Sequence, residues 1–229
     1  GRRCLVVTDD HVLAVPPPQQ VLEHASTLLR GDRAPKPRDP LVERRLHGLA
    51  TRVESLAGAL ARHGFETHLW FIGDPDASGY EIVDGVHLHR WCQWLSRGLP
   101  YGVYHGEEIK RVEFATTLPP HLFQAVAPAL GRGEHVVVLA EEWQTADAVL
   151  HLDWLLRNAE LRERATLLWN ANNGFGFERI DWDRLAGAAA VTTVSRYMKH
   201  LMRPLGVNPI VVPNGLGPEA FGEPTQDAV

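Results

Sequence analysis

The order of elements along this chain predicts an α/β domain: an open, mostly parallel, Rossmann-like sheet with helices on both faces. Three observations carry that prediction. Short β-branched apolar runs alternate with amphipathic stretches of helical length, the pattern of successive β-α-β crossovers. Most of those runs lack strict apolar–polar alternation, as strands covered on both faces do. The stretch AVTTVSRYMKHLMRPLGVNPIVVPNGL, residues 190–216, reads as strand, polar stop, short basic helix, strand and Asn-Gly turn.

Taken in order, the strand candidates are Cys4–Thr8, Glu66–Ile72, Val136–Ala140, Ala165–Trp169, Ala190–Val194 and Pro209–Val212. Helical patterns fall between them at Leu46–His63, Trp143–Leu156, Trp182–Ala188 and Arg196–Leu205. Parallel strands joined in this way require right-handed crossovers. Two regions interrupt the pattern. Residues 31–40, GDRAPKPRDP, hold three prolines and mixed charge and read as an exposed loop. Residues 79–131 begin with a hairpin, EIV-DG-VHLHR, turned at Asp84-Gly85. An aromatic stretch and two helical segments divided by Pro119-Pro120 follow it.

Composition narrows the function classes. Hydrophobic residues make up 45% and charged residues 22%, an ordinary globular mix that argues against wholesale disorder. A formal charge of −5 argues against a nucleic-acid partner bound over the whole surface. Cys4 and Cys92 supply neither a disulfide framework nor a cysteine zinc site, and two unpaired thiols point to the cytoplasm. No apolar run approaches the ~18 residues of a membrane helix, which leaves peripheral membrane contact as the open form of lipid association. There is no Gly-x-Ser-x-Gly elbow, P-loop or His-Glu-x-x-His, so those reaction classes are set aside.

Open α/β sheets bind ligands outside the carboxyl ends of their strands, near the point where strand order reverses. That rule selects Asp9 and Asp10 after the first strand, and Glu141, Glu142, Trp143 and Gln144 after VVVLA. It also selects Asn170, Asn172, Asn173 and Gly174 after ATLLW, and Ser195 and Arg196 after AVTTV. Polar groups at several strand exits suit a polyhydroxylated or phosphorylated ligand, although each also suits a helix cap or turn. Ser195 is a natural N-cap. Arg196, Lys199 and Arg203 share one helix face, a solvated one by default and otherwise suited to phosphates or an anionic membrane surface. His47-Gly48 opens a helix whose N-terminus favours a pyrophosphate. Trp143 suits either a sugar face or the core. His87 and His89 read as exposed hairpin histidines without a third metal ligand, and the adjacent pairs Glu107-Glu108 and Glu141-Glu142 as solvated or helix N-terminal acids.

Four segments then resemble one family. HGLATRVESLAGALARHGFETHLWF is similar to a Gly-Gly opening with its long helix and strand. VVVLAEEWQTADAVL is similar to a strand-to-helix segment that often reads His-Asp-Trp. LLWNANNGFGFERIDWDRL resembles one with a His-Asn pair, and AVTTVSRYMKHLMRPLGVNPIVVPNGL, with its Val-Pro-Asn-Gly ending, is the closest match. Together they resemble the N-terminal, acceptor-side domain of GT-B-fold retaining glycosyltransferases, the group that includes glycogen and starch synthases.

The resemblance implies transfer of a hexose-type sugar from a nucleotide-sugar, used as substrate, to a hydroxyl acceptor, a glycan, lipid or small metabolite. It implies no further cofactor and no metal. It places residues 1–216 in the acceptor domain and 217–229 at the start of an interdomain linker. A C-terminal donor-binding domain should follow, with Asn214 and Gly215 as the hinge. Asp9, His47, Gly48, Glu141, Glu142, Trp143, Gln144, Asn172, Asn173, Ser195, Arg196 and Lys199 become the substrate-binding candidates, with no catalytic residue assigned. His47 replaces the first glycine of the pair, Glu141 the histidine before Asp-Trp, and Asn172 the histidine of His-Asn. Asparagine donates and accepts hydrogen bonds but carries no proton at neutral pH. Either the chemistry tolerates that neutral group or a different sugar or acceptor is used. Because the donor-binding domain would supply the charges that stabilise the departing diphosphate, the isolated chain is expected to be inactive. The alternative is a non-catalytic sugar- or nucleotide-binding module. An epimerase reading is disfavoured, because the glycine fingerprint is incomplete and a Tyr-x-x-x-Lys pair is missing.

Overall fold

A computed structural model of the chain describes residues 2–8, 52–99 and 105–215. Asp9, Asp10, His47, Gly48, the 31–40 loop and everything after Gly215 lie outside the described residues. Eight strands form one sheet in the order β3-β4-β2-β1-β5-β6-β7-β8. They are β1 (Arg2–Thr8), β2 (Glu66–Ile72), β3 (Tyr80–Val83), β4 (Val86–Trp91), β5 (His135–Glu141), β6 (Ala165–Ala171), β7 (Ala190–Thr193) and β8 (Ile210–Val211). Every neighbouring pair is parallel except β3–β4, the hairpin anticipated at Asp84-Gly85. Both residues of that turn have positive φ, as a tight hairpin turn requires.

The chain leaves β1 towards β2 on one side and returns to β5 on the other, so strand order reverses between β1 and β5. Helix α1, residues 52–62 among those described, packs Val53 and Ala57 on one sheet face against Cys4, Val6, Leu69 and Phe71. Helices α3 (Glu107–Gly131), α4 (Ala146–Asn158), α5 (Trp182–Ala188) and α6 (Arg196–Met202) pack on the other, with Val136, Val138, Leu167 and Trp169 at the centre. The short α2 (Gln93–Ser96) follows β4. Residues alternate along β5, so its even-numbered side chains are buried under α3 and α4 while Val137 and Leu139 face the α1 side.

One sequence expectation fails. Pro119 and Pro120 do not divide two helices; α3 runs through them and through Pro128 as a single 25-residue helix. Phe114, Leu118, Leu122, Val126 and Leu130 recur every fourth residue along its buried face, so packing holds the axis together. A proline also frees the carbonyl four residues earlier. The carbonyl freed by Pro119, that of Ala115, accepts a 3.0 Å hydrogen bond from Nδ1 of His151 on α4. The N-terminal part of α4 is corrected as well: Trp143–Thr145 forms a 3-10 turn, and the α-helix starts at Ala146.

Candidate functional site

The site grows from the end of β5. Glu141 closes that strand and Glu142 follows with φ +68°, a left-handed conformation that costs a non-glycine residue energy. Backbone pairing holds it there, because Glu142 N–H donates to Asn170 O at 3.0 Å. The hydroxyl of Thr145 donates to both glutamate carbonyls, at 3.1 and 2.8 Å. Trp169 Nε1 donates to Glu142 O at 3.0 Å.

The two carboxylates are buried, Glu141 at 1% and Glu142 at 5% exposure, which corrects their reading as solvated acids. Each is held by amides from the exit of β6. Glu141 Oε2 accepts from Asn170 Nδ2 at 2.8 Å and from Asn172 Nδ2 at 2.9 Å. Glu142 Oε1 accepts from the Asn172 backbone N–H at 2.8 Å, and Oε2 from Asn173 Nδ2 at 3.0 Å. Asn172 thus joins two carboxylates that adjacency in sequence gave no reason to pair. Thr192 on β7 extends the array by donating to Asn170 Oδ1 at 2.9 Å.

Arg52 completes it from α1. Its Nε lies 3.3 and 3.4 Å from the two Glu141 oxygens, and Nη1 donates to Asn214 Oδ1 at 2.6 Å. Burial pushes the Glu141 carboxyl above the usual carboxylate range, while Arg52, Asn170 and Asn172 pull it back. Beneath Glu141 a cavity of about 470 Å³ opens between α1 and the sheet, lined by Leu56, Leu139, Leu168, Asn170, Thr192 and Pro213 among others. Its volume lies within the ~300–1,000 Å³ of small-molecule sites.

The remaining candidates separate. Trp143 is 5% exposed and packed, with the Arg179 guanidinium 4.5 Å from its ring centre. Gly176, at φ +72°, lies so close to that ring that a Cβ would overlap it. The Trp143 ring is thus packed between the Arg179 guanidinium and the Gly176 backbone. Gln144 is buried beside it and its Nε2 lies 3.4 Å from Glu107 Oε1. Ser195 caps α6, accepting from Met198 N–H at 3.1 Å. Arg196 is exposed, Lys199 half-buried, and Asn214 and Gly215 are exposed. Glu108, in the first turn of α3, is held at about 2 by hydrogen bonds first from Arg111 and then from Arg179. No group of three or more His, Cys, Asp or Glu side chains among the described residues is arranged to hold a metal.

His87 and His89 are not free hairpin histidines. They stack with His68 and Trp70 across β2 and β4, with 4.4 Å between the His68 and His87 rings and 4.3 Å between Trp70 and His89.

With the strand-order reversal and the polar array at β5–β7 in place, comparison with known families is decisive. The family model described as Glycosyltransferase Family 4 matches residues 46–220, more than half of the chain. The chain belongs to glycosyltransferase family 4. Its sheet is accordingly a Rossmann-like GT-B half, and glycosyl transfer is the activity class that comes with the family. No curated protein matches the chain. Every group of the polar array described above lies within the matched segment of the glycosyltransferase.

Arg52 is a member of this array that sequence reasoning missed. It sits mid-pattern in a helix, 89 residues from Glu141, and nothing in its neighbourhood separates it from Arg62, the other arginine of α1. Thr192, inside the strand the sequence predicts over Ala190–Val194, was missed as well, whereas Asn170 was selected as a strand-exit residue.

Proposed function

We propose that the chain is the acceptor-binding half of a retaining glycosyltransferase. The parent protein would move a hexose-type sugar from a nucleotide-sugar to a hydroxyl acceptor with its anomeric configuration kept. A donor-binding domain beyond the Asn214-Gly215 hinge would bring the nucleotide-sugar.

One observation carries the acceptor assignment. Asn172 spends its Nδ2 on Glu141, while its Oδ1 is buried and has no hydrogen-bond partner among the described residues. A buried acceptor atom without a donor costs free energy until a donor arrives. An alcohol or sugar hydroxyl supplies one. The Glu141 contact fixes which way the amide faces, so the free oxygen is the atom left for a ligand. The cavity lined by Glu141 and Asn170, both in the same hydrogen-bonded array as Asn172, has the volume for the body of an acceptor.

The test is a kinetic split in the two-domain parent. Asn172→Ala is expected to raise the acceptor KM about tenfold while the donor KM stays constant. NMR of the product should show the donor's anomeric configuration. An effect on donor KM alone, or an inverted product, refutes the assignment. Donor-dependent transfer by residues 1–229 alone would refute the division of labour between the two halves.

A further inference from the structure

The wall of the cavity beside Glu141 is chemically divided. At the Glu141 end its polar side chains are engaged with one another: Arg52 Nε reaches Glu141, Asn170 Nδ2 donates to Glu141 Oε2, and Thr192 donates to Asn170 Oδ1. Much of the remaining lining is apolar. Leu56 and Ala59 come from α1, Leu139 and Leu168 from the sheet, and Val212 and Pro213 from the segment after β8. Ser55 adds a single hydroxyl. A polyhydroxylated body seated there would exchange water for a wall with few groups left to bind it, which is unfavourable. An apolar body gains by leaving water, and so does Val212, an aliphatic side chain 46% exposed at the open side.

Arg62 is the odd group on this wall. The α1 residues that line the cavity are Arg52, Ser55, Leu56, Ala59 and Arg62, and helical geometry puts all five within an arc of about 120°. Arg62 follows Ala59 by three positions and stands beside it on that arc. Its Nη1 folds back over Gly58, 3.2 Å from where a Cβ would stand. Arg52 is bound to Glu141 and Asn214, whereas Arg62 has no hydrogen-bond or ion-pair partner among the described residues. Gly58 is about 9 Å of helix from Arg52. The cavity is therefore an apolar trough with an engaged polar array at one end and an unengaged cation along its flank.

We propose that this cavity binds an anionic amphiphile, its aliphatic chain against Leu56, Ala59, Leu139 and Leu168 and its acidic group on Arg62. A carboxylate and a phosphate monoester share the required chemistry, because a guanidinium forks onto either. With the acid at Arg62, the chain runs towards Glu141, which Asn172 bonds. The acceptor is then a hydroxyl-bearing lipid. That consequence rests on the acceptor assignment above; the binding itself does not.

Isothermal titration calorimetry of the chain with decanoate, geranyl phosphate and decanol, each below its micellar concentration, tests the proposal. Decanoate and geranyl phosphate have equal carbon counts, so the tighter of the two identifies the acid. Shortening decanoate to octanoate should weaken binding about tenfold. Arg62→Gln should weaken the bound anion about fivefold and leave decanol unchanged. Ala59→Phe fills the trough and should abolish binding, with an unshifted thermal midpoint showing that the variant is folded. Arg62 is exposed, so Arg62→Gln decides the matter if Ala59→Phe does not fold. The proposal is overturned by no binding of either anion, by undiminished anion binding or an equal loss for decanol in Arg62→Gln, or by full binding in folded Ala59→Phe. Those results leave the acceptor assignment to the Asn172→Ala kinetics, and failure of those kinetics leaves the amphiphile site intact.

Discussion

Replacing His89 with phenylalanine should remove much of the acid sensitivity of the fold. His89 lies between Trp70, 4.3 Å away and nearly parallel, and Tyr80, 5.0 Å away. Its Nε2 is 3.0 Å from His68 Nδ1, so one of the two rings must be neutral to accept the hydrogen bond. His68 Nε2 meets Glu66 at 3.2 Å, and the Tyr80 hydroxyl meets His87 Nδ1 at 2.7 Å. Burial, then the neighbouring His68, His121 and His87, lower His89 from 6.5 to about 4. Burial lowers His68 as well, with Glu66 opposing it. The folded state thus disfavours the imidazolium, and below 6.5 the unfolded chain binds more protons. Stability present above that pH is lost as pH falls towards 4. The full depression corresponds to about 3 kcal/mol at ~1.4 kcal/mol per pH unit. The ring is only half-buried, and solvent screening reduces this to about 1–2 kcal/mol. Urea denaturation at pH 7.5 and pH 4.5 measures the difference. His89→Phe keeps a ring in the stack, so its curves should converge by that amount. Equal acid losses in the wild type and in His89→Phe would refute the reasoning.

Two further outcomes follow from the site. Arg52→Met leaves Glu141 buried without its cation and should cost about 3 kcal/mol at pH 8. Burial holds the folded Glu141 pKa above its unfolded value, so stability is present at low pH and lost as pH rises; urea midpoints of this variant should therefore recover towards pH 5. Gly176→Ala places a Cβ inside the Trp143 ring contact at φ +72° and should destabilise by about 2–4 kcal/mol, read as a lowered thermal midpoint.

Much of this fold is written locally. The apolar runs of β1, β2, β5, β6 and β7, the Asp84-Gly85 turn and the Ser195 cap need only neighbours within a few residues, and each was legible in the sequence. The unbroken α3 was not. Pro119 and Pro120 oppose a helix locally, and the packing of Leu118 and Leu122, with His151 taking up the Ala115 carbonyl, outweighs them.

The candidate site divides in the same way. Strand exits are predictable because a parallel sheet places all of its carboxyl ends along one edge, which singled out Glu141, Glu142, Asn172, Asn173 and Ser195. Their mutual arrangement is a property of the assembled sheet. The pairing of β5 with β6 brings Asn170 and Asn172 to Glu141 across about thirty residues of chain, and α1 brings Arg52 across 89. The sequence by itself therefore determined which elements form and which residues reach the binding edge, since both depend on short-range periodicity and capping. Only the tertiary structure decided that Glu141 and Glu142 are buried and bound, that Trp143 packs beneath Arg179, and that His68, His87 and His89 share one stack. Those facts depend on distances between strands, and no spacing along the chain encodes them.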